Sequence, residues 1–88
     1  MPRPKFTIAD DLFRDLLKQQ RTSKKLTQVE LAARLGQPQS YVSKYENGER
    51  RLDFVETFLV CQALGIEVEQ FAALFADRLE KVHRKKDR

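Results

Sequence analysis

The chain has 88 residues and 10.3 kDa, enough for one small domain, with 41% apolar and 34% charged residues. One cysteine, Cys61, and one histidine, His83, exclude a disulfide framework and a cysteine-based metal site. The net charge is +4, yet residues 21–51 carry +4 while residues 52–76 hold four acids and no Lys or Arg. Such a stripe suits a polyanion, with nucleic acid the default candidate.

Every periodic segment reads as helix, in chain order. Pro4 precedes Thr7, an N-cap with Asp10 in the first turn, and Leu12, Phe13, Leu16 and Leu17 follow at helical spacing. The first helix is expected over about 8–22. Thr27 and Glu30 form a capping box that opens a second helix, with Leu31, Ala32 and Leu35 on one stripe. Gly36 stops it, and Pro38 is expected in the first turn of a third helix that ends at Asn47-Gly48. Asp53 and Glu56 open a fourth, carrying Phe54, Val55, Phe58, Leu59, Ala63 and Leu64 and ending at Gly65. A fifth begins at Glu67 and runs into the basic tail. No segment alternates long enough for a strand, so the expected fold class is all-α with five helices.

Two short helices joined by a glycine-containing turn, residues 28–47, make a helix-turn-helix plan. On a helical wheel with Pro38 at zero, Val42 and Tyr45 fall at about 40° and 340°, toward the scaffold. Gln39, Ser43, Ser40 and Lys44 fall between about 100° and 240°, with Tyr41 at the edge. This outward face carries an amide, two hydroxyls and an ammonium but no carboxylate, which suits base edges and phosphates.

The run from Thr27 to Glu56 resembles the lambda-repressor/Cro-like (XRE) helix-turn-helix family. The resemblance rests on Gln28, Leu31, Ala32, Leu35, Gly36, Val42, Ser43, Glu46, Asn47 and Gly48 and spans about residues 8–76. It implies a five-helix domain binding double-stranded operator DNA. It places Gln39, Ser40 and Lys44 at bases. Gln28, Ser43, Tyr41, Asn47, Arg50 and Arg51 would meet the DNA backbone, although Arg50 or Arg51 also has Glu49 and Asp53 within reach. It implies an ion pair between Arg21 and Glu46. One departure is Lys25, where the family often has glycine.

In the fifth helix, Val68, Ala72, Phe75, Leu79 and Val82 form one apolar seam, and Phe71 and Leu74 a second. One small core is expected to bury only one of them, so Phe75, Leu79 and Val82 are assigned to a homodimer interface suited to a palindromic site. Residues 1–7 read as an N-terminal arm, 8–76 as the DNA-binding domain and 77–88 as a basic extension. Cys61 reads as a small buried thiol. No nucleophile–base pair or phosphate-binding glycine loop points to catalysis, and no cofactor, metal or membrane segment is expected. The expected location is the prokaryotic cytoplasm. The functional reading is a transcriptional repressor binding its operator as a dimer. The alternative is a protein-interaction module, such as an antitoxin that binds DNA secondarily.

Overall fold

Five helices pack around one core in the computed structural model, which describes the backbone of residues 8–86 and side chains through residue 82. The expected arm 1–7, the Thr7 cap and the side chains of the basic tail lie outside the described residues. The helices are α1 (Ile8–Ser23), α2 (Gln28–Leu35), α3 (Gln39–Glu46), α4 (Phe54–Leu64) and α5 (Val68–Lys86). Among the described residues there is no strand, and no single helix is long and apolar enough to cross a membrane.

Local chemistry sets the helix ends. Thr27 Oγ1 accepts from the Glu30 amide at 3.0 Å, and the Glu30 carboxylate accepts from the Thr27 amide at 2.8 Å. Asp53 and Glu56 repeat this reciprocal cap on α4, at 2.7 and 2.9 Å. Each box satisfies two amides that the first helical turn leaves without partners. Gly36 takes φ +67°, and the Gln37 amide reaches back to the Ala32 carbonyl at 2.9 Å, closing α2 with a left-handed turn.

Three sequence expectations need small corrections. Pro38 does not sit in the first turn of α3; with ψ 158° it is the extended residue flanking the helix, which begins at Gln39. Helix α5 begins at Val68 rather than Glu67, and α1 continues to Ser23.

Lys25 has φ +59°, the left-handed region that glycine adopts at least cost. The Leu26 amide donates to the Arg21 carbonyl at 3.2 Å, so Lys25 ends α1 as Gly36 ends α2. The departure from the family pattern therefore changes the residue and keeps the turn.

The core is built from Leu16 and Leu17 of α1, Leu31 and Ala32 of α2, Val42 and Tyr45 of α3, and Val60, Cys61 and Leu64 of α4. Ala32 is buried under the α2–α3 crossing, where a larger side chain would push the two helices apart. From α5, Phe71 is buried and Leu74 and Phe75 pack against its edge. Phe13 joins both, with ring centroids 5.8 Å from Phe71 and 6.2 Å from Phe75, each edge-on. One bulky residue of α1 thus engages both apolar faces of α5. Phe75, expected from the sequence at a partner's surface, therefore also contributes to the edge of the core. Leu79 and Val82, further along α5, are half-buried.

Candidate nucleic-acid interface

Because Val42 and Tyr45 anchor α3 through its inner face, the opposite face is left to solvent. Gln39, Ser40 and Lys44 are exposed there, Ser43 is half-buried beside them, and Asn47 stands exposed at the C-terminal end. The Asn47 side-chain carbonyl accepts from the Glu49 amide at 3.3 Å, an Asx turn that leads the chain away from α3. Gly48 follows with φ +90°, and a Cβ there would stand 3.4 Å from the Arg14 guanidinium of α1.

A hydrogen-bonded chain runs from the scaffold to this face. Arg21 Nε donates to Glu46 Oε2 at 2.7 Å and Arg21 Nη2 to Glu46 Oε1 at 3.0 Å. The remaining fork atom, Nη1, donates to the Leu26 carbonyl at 2.7 Å. Glu46 hydrogen bonding holds the Arg21 guanidinium above its usual pKa range. Gln28 Nε2 then donates to Glu46 Oε1 at 3.0 Å, and Gln39 Nε2 donates to Gln28 Oε1 at 3.2 Å. Gln28, expected from the resemblance at phosphate, is thus engaged on both sides within the protein. The side-chain oxygen of Gln39 and its second N–H stay available outward.

The two arginines after the turn find partners other than Glu49 and Asp53. Arg50 forms an ion pair with Glu56, and its guanidinium lies 4.7 Å over the Tyr41 ring. Tyr41 is half-buried, with its ring 5.9 Å from Tyr45 and edge-on to it. Burial, and then the nearby Glu56 charge, raise the Tyr41 hydroxyl above its ordinary pKa, so it remains a neutral donor. Arg51 reaches back to Asp10 of α1 at 3.0 Å. Arg50 thus stays beside α3, whereas Arg51 is tied to the scaffold.

Sequence reasoning missed Arg34, whose guanidinium donates to the Ala63 carbonyl at 3.0 Å and links α2 to the last turn of α4. An Arg in the last turn of a helix carries no signal of which distant carbonyl it will meet. It also missed the outer face of α4, where Phe54, Val55, Phe58 and Leu59 are all exposed. Among the described residues no group of three His, Cys, Asp or Glu side chains could hold a metal ion.

A family model for helix-turn-helix domains matches residues 17–71. Several solved structures share the fold. An XRE-family-like protein from Pseudomonas syringae pv. tomato is 41% identical, with a TM-score of 0.76 over 80% of this chain and 85% of that one. The restriction-modification controller protein C.AhdI from Aeromonas hydrophila is 34% identical, with a TM-score of 0.64 over 69% of this chain and 92% of that one. The controller protein C.Esp1396I, as a tetramer in complex with its natural 35 base-pair operator, is 21% identical, with a TM-score of 0.75 over 82% and 95%. None of the curated proteins compared matches the chain.

Proposed function

The chain belongs to the XRE family of helix-turn-helix DNA-binding proteins, and from that premise we propose that it is a transcriptional regulator reading duplex DNA sequence with α3. The observation that carries this reading is the chain of hydrogen bonds from Arg21 through Glu46 and Gln28 to Gln39. A solvent-exposed glutamine samples many rotamers, and ordering it during binding costs free energy. Held by Gln28, the Gln39 amide meets DNA with its orientation already set, offering an acceptor and a donor in the pattern that adenine presents in the major groove.

Ser40 and Lys44 take adjacent base edges in this reading. Ser43, Asn47, Tyr41 and Arg50 hold the sugar-phosphate backbone and fix the register of α3. Gln28 acts chiefly as a positioning residue. The contribution of Arg51 to phosphate is smaller, because Asp10 already engages its guanidinium.

Residues 8–76 act as the DNA-binding domain, and 77–88 as a basic extension of α5. The role is binding without catalysis, in the prokaryotic cytoplasm. Repression follows from occupancy: a dimer on a palindromic site within a promoter blocks access to it. That C.Esp1396I is a tetramer on its natural operator supports an oligomer as the binding species.

Selection from a random duplex DNA pool, followed by titration of the winning sequence at two salt concentrations, tests the proposal. The expected outcome is a palindrome with half-sites about one helical turn apart. Weak, salt-sensitive binding with no enriched sequence would overturn it.

A further inference from the structure

Tyr45 brings a ring to the core from α3 and leaves one polar atom unmatched. The residue is only 1% exposed, and its hydroxyl has no hydrogen-bond partner among the described residues. Burial, and then the nearby Glu46 charge, raise its pKa, so the group stays protonated and is able to donate. A buried hydroxyl without a partner costs stability, and a phenylalanine would fill the same volume without that cost.

Tyr45 lines a cleft of about 380 Å³ between α1, the loop after α3, α4 and α5. Phe13, Leu52, Phe71 and Phe75 supply most of its apolar wall. The volume falls at the lower end of small-molecule sites, with room for one or two rings. Ala72 of α5 adds only a methyl group to the wall. Charged side chains reach the cleft as well, and each already has a partner. Arg14 pairs with Asp11, Arg50 with Glu56 and Arg51 with Asp10, while Asp53 accepts from the Glu56 amide. No charge in the wall awaits a counter-ion, and a charged occupant would lose its hydration among phenylalanine rings.

We infer that the cleft is a binding site for a neutral aromatic compound of one or two rings carrying a hydrogen-bond acceptor. The rings of the occupant pack against Phe13, Phe71 and Phe75, and its acceptor receives the Tyr45 O–H. An apolar pocket with a single polar group that fixes orientation is the general form of a small-molecule site. The loop carrying Arg50 and Leu52 forms one wall, so an occupant touches the segment that leads out of α3. The inference goes beyond the DNA-binding reading and does not depend on it.

Two probes of nearly identical shape test it: quinoline, whose ring nitrogen accepts a hydrogen bond and is neutral at about pH 7.5, and naphthalene, which has no acceptor. Each is titrated into the ¹⁵N-labelled full chain while amide chemical shifts are followed. Quinoline should bind with a Kd below about 1 mM and shift amides around the cleft, those of Leu52, Phe71 and Ala72 among them. It should bind roughly five- to tenfold tighter than naphthalene, the difference made by one hydrogen bond. Tyr45→Phe should fold with an unchanged or higher Tm and should bind both probes equally. Ala72→Phe, a change at an exposed position of α5, should fill the cleft and weaken both by roughly tenfold or more. Absence of binding, or shifts centred away from the cleft, overturns the inference. Equal affinity of the two probes for wild type, or a preference that survives Tyr45→Phe, also overturns it, since the hydroxyl would then serve no ligand. 1-Octanol binding as tightly as quinoline would reject an aromatic occupant. Quinoline binding that disappears as the chain self-associates would give the cleft to a second copy and overturn the inference. The titrations use protein without DNA, so their failure would leave the proposed function standing, and a chain that selects no DNA would leave this site standing.

Discussion

Arg21 and Glu46, 25 positions apart, form a two-pronged ion pair that joins the last turn of α1 to the last turn of α3, with side chains only 9% and 4% exposed. Removing one partner would leave the other charge buried and uncompensated. Arg21→Ala should therefore cost about 3–5 kcal/mol in urea unfolding. Replacing both by apolar residues of similar volume should restore much of that stability. DNA affinity should not recover with it, because Gln28 would have lost its acceptor on Glu46. A double variant that binds like wild type would show that the pair serves folding alone.

Gln39→Ala should weaken binding by roughly 1–3 kcal/mol and relax preference at a single base pair. Gln28→Ala should weaken preference at that same base pair by a smaller amount, roughly 0.5–1.5 kcal/mol, as expected for one lost neutral hydrogen bond. Competition binding against operators altered one position at a time reads both effects. Losses spread evenly over all sequences would place Gln39 on the DNA backbone instead.

The left-handed turn at Lys25 offers a gain in stability. Glycine takes this backbone without steric cost, although it has more freedom to lose on folding. Lys25→Gly should gain roughly 0.5–1 kcal/mol and raise Tm by about 3–6 °C. Lys25→Ala keeps the Cβ and should gain little. Melting at high salt separates this backbone effect from the lost charge.

Arg50→Ala should lower affinity by a similar factor for every sequence and reduce the slope of log affinity against log salt by about one. The guanidinium has five donors, so its contacts with Glu56 and Tyr41 can orient it while leaving N–H groups for phosphate. An unchanged slope would mean that Glu56 has already neutralised it.

Alkaline pH should destabilise the fold through two buried groups. Burial pushes the Cys61 thiol from 9.0 up to about 11, and burial followed by the Glu46 charge lifts the Tyr45 hydroxyl well above its ordinary 10.0. The unfolded chain therefore releases these protons at lower pH than the folded one. Stability is unaffected below about pH 9 and falls between 9 and 11, first through Cys61 and then Tyr45, by roughly 1–3 kcal/mol for the thiol. Urea midpoints from pH 8 to 11 measure the fall, and Cys61→Ala should delay its onset by about one pH unit. The thiol should also stay unreactive to a disulfide reagent at pH 8 until the chain is unfolded.

What the sequence determined by itself was local. Helix ends depend on residues within one turn of each other, so Thr27 with Glu30, Asp53 with Glu56, and Gly36 could be read directly. Periodicity showed that Gln39, Ser40 and Lys44 share the face of α3 opposite Val42 and Tyr45, because an α-helix fixes that angle whatever surrounds it. The tertiary structure decided which distant groups meet. Arg50 found Glu56, Arg51 found Asp10 across 41 positions, and Gln28 found both Glu46 and Gln39. It also decided which apolar face stays open. Both α4 and α5 have more apolar surface than one core face needs, and nothing along the chain says which receives a neighbour. Phe13 packs against both Phe71 and Phe75, while Phe54, Val55, Phe58 and Leu59 on the outer face of α4 stay exposed. A helix presents its faces by its own geometry, but whether a face is covered depends on the volume and direction of side chains arriving from elsewhere.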